Sequence, residues 1–494
     1  MSFDSIDFML FFPIVAIAYY VIPKVGEYNL KSVWLLVASY YFYMSWNPKY
    51  AVLILLSTVV TYLCGILLDT HNENRKAIVV VCVLFNLFIL FFFKYGQFTI
   101  NNIAIALSKI GISVCPYNLD FLLPVGISFY TFQALGYTVD VYRGDIKAER
   151  NFIQYALFVS FFPQLVAGPI ERSKNLLVQL ERENKFDFLN VREGLLMMLW
   201  GFFMKLVIAD RVALFVDTVY GDYYTYRGWY IIVATILFGI QIYCDFNGYT
   251  MIARGAAKIM GFDLMENFDA PYLATTVSEF WKKWHISLTS WFRDYLYIPL
   301  GGNRKGYWRQ CLNILVVFAV SGLWHGAEWS FVLWGLLNGF YQVIGKITLP
   351  ARRSIVSYFK LNSDSLGHKV LKTIMTFILV DFAWLFFRAD TIKDSLLMVK
   401  NIINTNNLWI LFDRESIYKC GLDKQDFSLL IIAIIVLIIC DICKTKRISI
   451  MKDVILLQDT WCRWIIYIVS FLSVLVFGVW GSGYENAAFL YFQF

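Results

Sequence analysis

Long stretches without a charged side chain constrain the fold more than any other feature of this sequence. A helix needs about 20 apolar residues (roughly 17–25) to cross the hydrocarbon core of a bilayer. The charge-free stretches that reach this length are residues 32–48, 77–93, 121–139, 151–170 and 464–484. Shorter or interrupted apolar stretches cover residues 8–22, 50–68, 194–209, 212–226, 228–244, 310–324, 329–345, 373–388 and 427–440. Because helices satisfy their own backbone hydrogen bonds in lipid, we predict an all-α polytopic membrane protein with about 11–13 membrane segments.

The composition excludes several other classes of protein. Of the 494 residues, 59% are hydrophobic and 16% are charged. In soluble domains, roughly 45–50% of the residues are apolar and about 25% are charged. A soluble enzyme, a disordered chain and a secreted disulfide scaffold are therefore excluded, and a β-barrel is excluded because the apolar runs are continuous rather than alternating. We find no repeat or separate soluble segment, so residues 1–494 are predicted to form one integrated transmembrane domain. Membrane lipid is an expected partner, and nucleic acid is not.

The net charge of +7 is concentrated in particular loops. The loop 281–309 has one acid, Asp294, against the basic residues Lys282, Lys283, Arg293, Arg304, Lys305 and Arg309. The loops 346–372 and 441–463 are also basic, whereas 389–426 is slightly acidic. The positive-inside rule places the basic loops in the cytoplasm and 389–426 outside. The stretch 310–345 must then enter the membrane and return, with His325 near its turn.

Two of the four histidines are candidates for chemistry. His71 and His368 lie in polar loops, whereas His325 lies in an otherwise apolar hairpin and His285 in an aromatic, basic stretch. A polar group at membrane depth is expensive, so an intramembrane histidine is a functional candidate, with a hydrogen-bonded structural histidine as the alternative. A neutral imidazole can take a proton from a hydroxyl and return it.

Other reaction classes lack their motifs in this sequence. We find no Gly-x-Ser-x-Gly elbow, no Walker loop, no dinucleotide fingerprint and no His/carboxylate cluster with metal-ligand spacing. A histidine acting as base or nucleophile is therefore the best chemistry available, and no metal is expected. Gly322 and Gly326 flank His325 and let another backbone or a ligand come close.

Further polar residues lie in apolar surroundings and have two interpretations. Asp245 and Asn247 are candidate substrate-binding residues, and a structural tie between helices is the alternative. The same alternative applies to Lys205, Asp210, Glu328, Asp381 and Arg388.

The basic stretch 281–309 also has two compatible interpretations. In the first, it is an interfacial segment anchored by aromatic residues. In the second, it is a cationic cytoplasmic mouth for a phosphate-bearing donor such as coenzyme A. In the second interpretation, the donor is bound by Lys282, Lys283, Arg293 and Arg304.

Several long motifs resemble the membrane-bound O-acyltransferase family, and specifically its alginate O-acetyltransferase branch. The longest are DFNGYTMIARGAAKIMGFDLMENFDAPYLATTVSEFWKKWHISLTSWFRDYLYIPLGGNR at 245–304 and SGLWHGAEWSFVLWGLLNG at 321–339. Shorter ones are PVGISFYTFQALGYTVDVYRG at 124–144, FFPQLVAGPIER at 161–172, FAWLFFRA at 382–389 and FLYFQF at 489–494. They extend from the first third of the chain to its last residue.

The resemblance implies a funnel-shaped helical bundle with a thin waist and a core signature region at 245–345. The family's signature histidine matches His325, with Trp324 and Gly326 as pocket-forming residues, and its second signature position matches His285. Asn338 stands where the branch is expected to have a second histidine, so the chain departs from the family pattern at this position.

For function, the resemblance implies a plasma-membrane O-acetyltransferase, expected in a bacterial cell. It would pass acetyl groups from cytoplasmic acetyl-CoA across the membrane to an extracytoplasmic polysaccharide, through a partner SGNH-type transferase or polysaccharide-synthesis complex. His325 would act as general base or as transient nucleophile.

Three alternatives remain open at this point. A D-alanyl-transferring branch of the same family resembles the chain at EFWKKWHISL and WFRDYL. A transporter is the alternative from another class, although it predicts inverted repeats, and we find none. A lipid-modifying acyltransferase would need a long acyl slot at the waist.

Overall fold

Helices make up the regular secondary structure of the described residues in the computed structural model, and no strand occurs among them. The structure describes residues 1–23, 30–71, 73–113, 115, 118, 124–166, 168–413, 415–479 and 489–490, without the side chains of 451–452. These residues divide into two compact units, one made of 1–198 and 249–265, the other of 199–248 and 266–494. The single domain predicted for 1–494 stays a prediction.

The first unit is built from helices of very different lengths. Its elements are Ile6–Val21, Leu30–Met44, Tyr50–Thr70, Arg75–Lys109 (with a π-helical turn at Phe91–Tyr95), Ile127–Arg143, Phe152–Ser160, Phe162–Leu165, Ser173–Leu180, the start of Phe188–Phe202 and the end of Trp229–Ile259.

The second unit contains the residues predicted to do chemistry. Its longer helices are Asp210–Gly221 (preceded by the π-helical Phe203–Ala209), the start of Trp229–Ile259, Tyr307–His325, Trp329–Ile347, Leu349–Tyr358, Leu366–Arg388, Ile392–Asn404, Lys424–Thr445 and Thr460–Phe477. Its short elements are Pro271–Leu273, Val277–Lys283, Ile286–Phe292, Arg293–Tyr297, Leu408–Leu411, Ile417–Lys419 and Ile450–Ile455.

Membrane-spanning helices are present as the sequence predicts. Among the described residues, the helices long and apolar enough to cross a bilayer are Tyr50–Thr70, Arg75–Lys109, Trp229–Ile259, Leu366–Arg388, Lys424–Thr445 and Thr460–Phe477. Ile6–Val21 is a shorter apolar helix. The all-α, multi-pass class is thus confirmed, and the total of 11–13 segments stays a prediction.

The stretch 151–170 is not one helix. It forms Phe152–Ser160 and Phe162–Leu165, and the chain turns at Phe161, two residues before Pro163, which lies in the first turn of the second helix. Proline fits a first turn but interrupts a helix interior, because it lacks the backbone N–H. Nine helical residues rise only about 14 Å, so this stretch does not cross a bilayer as a single span.

Small residues let helices of the second unit approach backbone to backbone. Tyr307–His325 and Trp329–Ile347 form an antiparallel pair, which we call the histidine hairpin. A Cβ added to Gly322 would lie 2.2 Å from the carbonyl oxygen of Phe331, and one added to Gly335 would lie 2.2 Å from that of Phe318. Close helix packing of this kind is typical of membrane helices. In lipid there is no hydrophobic driving force between helices, so they associate through van der Waals contacts that small residues permit. The hairpin is therefore a rigid support for the residue at its tip.

Candidate active site

His325 is the last residue of the first helix of the histidine hairpin. The turn 326–328 follows it, and Trp329 begins the return helix. The predicted position at the turn of the stretch 310–345 is confirmed. The side chain is buried, with 5% of its surface exposed.

Aromatic rings enclose the imidazole of His325. Its centroid lies 4.9 Å from the ring of Trp324, 5.1 Å from that of Trp334 and 5.4 Å from that of Phe387, all edge to face. Trp384 stacks on Trp334, with their ring centroids 5.6 Å apart. Such an apolar shell disfavours the charged imidazolium and keeps water away from the ring.

The two glycines beside His325 serve packing within the hairpin. A Cβ on Gly326 would lie 2.1 Å from the ring of Phe331, and the place of a Gly322 side chain is taken by the Phe331 carbonyl. The close approach predicted at these glycines is therefore made by the return helix. Their contact with substrate stays a prediction.

His285 is buried and has a strained backbone. It lies between the helices Val277–Lys283 and Ile286–Phe292 with φ +45°, a left-handed conformation that is uncommon for a residue with a side chain. Its ring meets that of Phe246 edge to face at 4.6 Å, and 1% of its surface is exposed. Burial lowers the pKa of His285 to about 3, so the imidazole is neutral near pH 7. Strain of this kind is often kept at functional sites.

Asn267 holds His285 through both its backbone and its side chain. The Asn267 carbonyl oxygen accepts from the Ile286 N–H at 2.9 Å. Its side-chain Oδ1 lies 3.2 Å from His285 Nδ1 and accepts from the Ser287 hydroxyl at 2.8 Å. Asn267 lies within the 245–304 motif, but nothing in the sequence distinguishes it as a partner of His285.

The indole of Trp324 contacts both histidines. Its centroid lies 6.0 Å from the ring of His285 and 4.9 Å from that of His325. The structure therefore brings together the two predicted catalytic histidines and the predicted pocket residue between them. Their catalytic and binding roles stay predictions.

A large groove opens in the same unit, lined by residues between 275 and 379. Its volume is about 1760 Å³, and no Asp or Glu occurs among the described residues that line it. Seven basic side chains line this "basic groove", namely Lys282, Arg293, Lys346, Arg352, Arg353, Lys360 and Lys372. They come from the loops 281–309 and 346–372, both predicted to be cytoplasmic. His368, predicted to be solvated in a loop, also lines the groove.

The four predicted donor-binding residues differ in their positions. Lys282 and Arg293 line the basic groove, although Arg293 also pairs with Asp294 at 2.8 Å. Lys283 pairs with Glu279 at 3.1 Å and, like Arg304, is absent from the groove's lining. The groove instead takes five cations from 346–372, a loop whose basic character the sequence shows but whose residues were not selected.

Two indoles separate the basic groove from His325. Trp281 lines the groove, its ring lies 5.6 Å from that of Trp334, and Trp334 contacts His325. The Trp281 Nε1–H donates to Asn338 Oδ1 at 3.2 Å. Asn338 thus fixes the first indole, which gives this position a structural role. Phe318, also in the lining, precedes His325 by seven residues, about 10 Å of helix.

Asp245 and Asn247 lie in a buried polar cluster. Lys205 Nζ lies 2.8 Å from carboxylate oxygens of both Asp245 and Asp210, and Asp245 accepts from the Leu490 N–H at 2.9 Å. Asn247 Nδ2 donates to Met204 Sδ at 3.7 Å. These contacts agree with ties between helices, and substrate binding by either residue stays a prediction. Arg388 also pairs with Asp217, at 2.6 Å, but the Asp217 side chain is exposed.

The prediction that Glu328 is buried is wrong. It was expected to be a buried tie, but it is exposed and precedes the return helix of the hairpin. A residue in the turn of a hairpin has no facing helix to bury it.

No group of three or more His, Cys, Asp or Glu side chains suited to a metal ion occurs among the described residues.

Comparison with known proteins identifies the family. Residues 39–382 match the model of MBOAT, the membrane-bound O-acyltransferase family. The chain belongs to the membrane-bound O-acyltransferase family. It is 35% identical to the probable alginate O-acetylase AlgI of Pseudomonas syringae pv. tomato, over 79% of this chain and 73% of that protein. It is 31% identical to the peptidoglycan O-acetyltransferase of Helicobacter pylori, over 81% and 79% of the two chains.

More limited similarity connects this membrane-bound O-acyltransferase to a D-alanyl-transferring enzyme. It is 29% identical to the teichoic acid D-alanyltransferase of Streptococcus thermophilus, over 48% of this chain and 59% of that protein. The predicted family and the prediction of an enzyme are confirmed, against the transporter alternative.

Proposed function

We propose that this O-acyltransferase passes acetyl groups from cytoplasmic acetyl-CoA across the membrane for O-acetylation of an extracytoplasmic polysaccharide. Relatives named for alginate and peptidoglycan O-acetylation align over most of the chain. A partner transferase of the SGNH type would complete the transfer to sugar. The bulky, charged nucleotide cannot cross the membrane cheaply, so only the acetyl group has to pass.

The observation that carries the proposal is the relationship between the basic groove and His325. Among the residues that the structure describes, the groove is lined by seven cations and no carboxylate, which suits the phosphates of a coenzyme A. His325 is separated from the groove by the indoles of Trp281 and Trp334, and its apolar surroundings exclude water. The groove can hold the nucleotide while the thioester end of the donor reaches past Trp281 toward His325.

In the proposed reaction, His325 acts as general base. An imidazole nitrogen takes the proton of the acceptor hydroxyl while the hydroxyl oxygen attacks the acetyl carbonyl. The carbon–sulfur bond breaks, the coenzyme A thiolate leaves, and the imidazolium returns the proton to the sulfur. Alternatively, the imidazole attacks the carbonyl itself, the carbon–sulfur bond breaks and the coenzyme A thiolate leaves. The transient acetyl-histidine then passes the acetyl group to the hydroxyl oxygen, and the hydroxyl proton ends on the thiolate. His285, linked to the same indole, is the second proposed catalytic residue.

The neutral surroundings of His325 support either form of the reaction. Three rings contact the imidazole, so its uncharged form is favoured before the reaction. The same surroundings exclude water, which would otherwise hydrolyse the thioester.

The test is acetyl transfer in proteoliposomes. Radiolabelled acetyl-CoA is supplied on the side of the 281–309 loop, with an SGNH-type partner and polysaccharide on the other. His325→Ala should lose about 100-fold or more of the activity, whereas His71→Ala, an exposed loop histidine in the other unit, should keep it. Normal transfer by His325→Ala would contradict the proposal.

D-alanyl transfer is the second candidate, because a teichoic acid D-alanyltransferase aligns with about half of the chain. Its donor would be a carrier protein rather than a free nucleotide. Turnover with a D-alanyl carrier protein, and none with acetyl-CoA, would favour this branch.

A further inference from the structure

We propose that Asn267 is a positioning residue that fixes His285 in the tautomer with its proton on Nδ1, so that Nε2 is the basic nitrogen. This inference rests on the proposed catalytic role of His285, and it adds which nitrogen reacts and what determines that choice. The side chains of Asn267, His285 and Ser287 are all buried, at 0–1% exposure.

The orientation of the Asn267 amide follows from its other partner. The backbone N–H of Ser287 points at Oδ1 of Asn267, 3.2 Å away. A backbone N–H can only donate, so the atom facing it is the amide oxygen and not the NH₂ group. The Ser287 hydroxyl, 2.8 Å from the same oxygen, agrees with this assignment.

The tautomer of His285 follows from that orientation. His285 Nδ1 lies 3.2 Å from the same Oδ1. Because an amide oxygen only accepts, Nδ1 must carry the proton that joins them. The Ser287 hydroxyl lies 3.5 Å from Nδ1, and its single hydrogen is directed to the nearer oxygen of Asn267. Nε2 therefore has the lone pair.

The backbone of the same asparagine maintains the unusual conformation of His285. The Ile286 N–H donates to the Asn267 carbonyl at 2.9 Å, next to the residue with φ +45°. Asn267 thus determines both the direction of the imidazole and its protonation. A neutral amide does this without adding a negative charge that would favour the imidazolium.

The first experiment determines the tautomer of His285 without an activity assay. The full chain, with ¹⁵N-labelled histidine rings, is placed in lipid nanodiscs, and the His285 signals are assigned by their loss in His285→Gln. We expect a protonated Nδ1 and an unprotonated Nε2. Asn267→Asp, which keeps an acceptor, should keep the proton on Nδ1, and Asn267→Leu should give a mixture of tautomers. A proton on Nε2 of His285 in the wild type would overturn the inference whether or not the Asn267 variants fold.

The second experiment measures kcat and KM for acetyl transfer. Asn267→Leu should lower kcat for acetyl transfer about 10-fold with little change in the KM for acetyl-CoA, and Asn267→Asp should recover part of kcat. On the His285→Gln background, Asn267→Leu should cause no further loss, because the residue acts through His285. Asn86→Leu, which removes a buried asparagine hydrogen-bonded to Ser57 in the other unit, is the matched control.

The outcomes separate the two proposals. If His285→Gln keeps full activity, the proposed role of His285 fails, whatever the tautomer. If His285→Gln is inactive but Asn267→Leu changes neither the tautomer nor kcat, the positioning role of Asn267 fails, and the proposed function stands. An additive loss in the double variant would also count against positioning.

Discussion

The imidazole of His285 meets the indole of Trp324 edge to face, with their ring centroids 6.0 Å apart. Trp324 immediately precedes His325 in the chain and contacts its ring as well. Two histidines separated by 40 residues in sequence thus contact one side chain. Any movement of this indole changes the surroundings of both.

Substitution of Trp324 should therefore lower both catalysis and stability, because the indole is buried and contacts both histidines. Trp324→Phe keeps an aromatic ring and should lower kcat several-fold, whereas Trp324→Ala removes the shared contact and should lower it by about 100-fold, on the scale of a lost catalytic group. Acetyl-transfer kinetics and the melting temperature are measured on the same preparations.

The control for Trp324 lies on the same helix. Trp308 is 76% exposed near the other end of the hairpin, so Trp308→Ala should leave kcat unchanged. Equal losses in Trp308→Ala and Trp324→Ala would show a general effect of losing an indole rather than a role at the histidines.

Gly322→Ala should destabilise the histidine hairpin. The added Cβ would lie 2.2 Å from the carbonyl oxygen of Phe331, so the two backbones must separate. We expect a loss of about 1–3 kcal/mol in the free energy of unfolding, as for other overpacked sites. Gly345→Ala, whose Cβ would have its nearest neighbour at 3.9 Å, should be nearly neutral in the same thermal-unfolding assay.

The sequence predicts the place of His325 well, because the apolar stretches on both sides define a hairpin and the histidine is near its turn. It predicts less about contacts made across that hairpin. Nothing in the local sequence shows that Phe331 occupies the space beside Gly322, since this depends on how the two helices pair. Glu328 was misjudged for the same reason.

The support of His285 is beyond local sequence reasoning. Asn267 lies 18 residues before His285, and their contact requires two irregular segments to meet. The basic groove is an intermediate case. The charge of the loop 346–372 is visible in the sequence, but its lining position beside Lys282 and Arg293 depends on tertiary structure.

Neutralising the basic groove should weaken donor binding without affecting the chemical step. The double variant Arg352→Gln and Arg353→Gln removes two lining cations and should raise the KM for acetyl-CoA about 10-fold, on the scale of charged hydrogen bonds, with kcat nearly unchanged. Raising the salt concentration should increase the KM of the wild type more than that of the variant. Salt screens charges on the wild-type groove that the variant lacks.

Lys369→Gln is the control for the groove. Lys369 is exposed, pairs with Asp364 at 3.8 Å and is absent from the lining. Its removal changes the net charge without changing the groove, so the KM should stay near the wild-type value. A similar rise in KM for Lys369→Gln would indicate attraction by overall charge instead of a built site.

Lys205→Met should be strongly destabilising. It leaves the carboxylates of Asp210 and Asp245 buried without the ammonium that lies 2.8 Å from each. Breaking a buried pair in this way costs about 3–5 kcal/mol, whereas Lys283→Met, at a half-exposed pair with Glu279, should cost about 0–1 kcal/mol. Thermal unfolding in detergent distinguishes them.

The same cluster decides between two interpretations of Asp245. If it is a tie between helices, Asp245→Asn should lower the melting temperature and leave the KM for acetyl-CoA unchanged. A raised KM at unchanged stability would instead support the substrate-binding role predicted from the sequence.

Glu171 should make the stability of the first unit depend on pH. Its carboxyl group is buried between Met265 and Asn175, and burial raises its pKa to about 7. Because the folded-state pKa lies above the unfolded value, the folded state binds more protons between about pH 4.5 and 7. The stability that this group contributes is fully present below about pH 4.5 and is lost as the pH rises through 7.

Glu171→Gln removes this titration while keeping the size of the side chain. The wild type should therefore lose roughly 3 kcal/mol relative to the variant between pH 4.5 and 8, because burial raises the pKa of the carboxyl group from 4.5 to about 7. The measurement is the difference in melting temperature between the two proteins at a series of pH values in one detergent. A constant difference across that range would mean that Glu171 is charged in the folded protein, held by its hydrogen bonds despite burial.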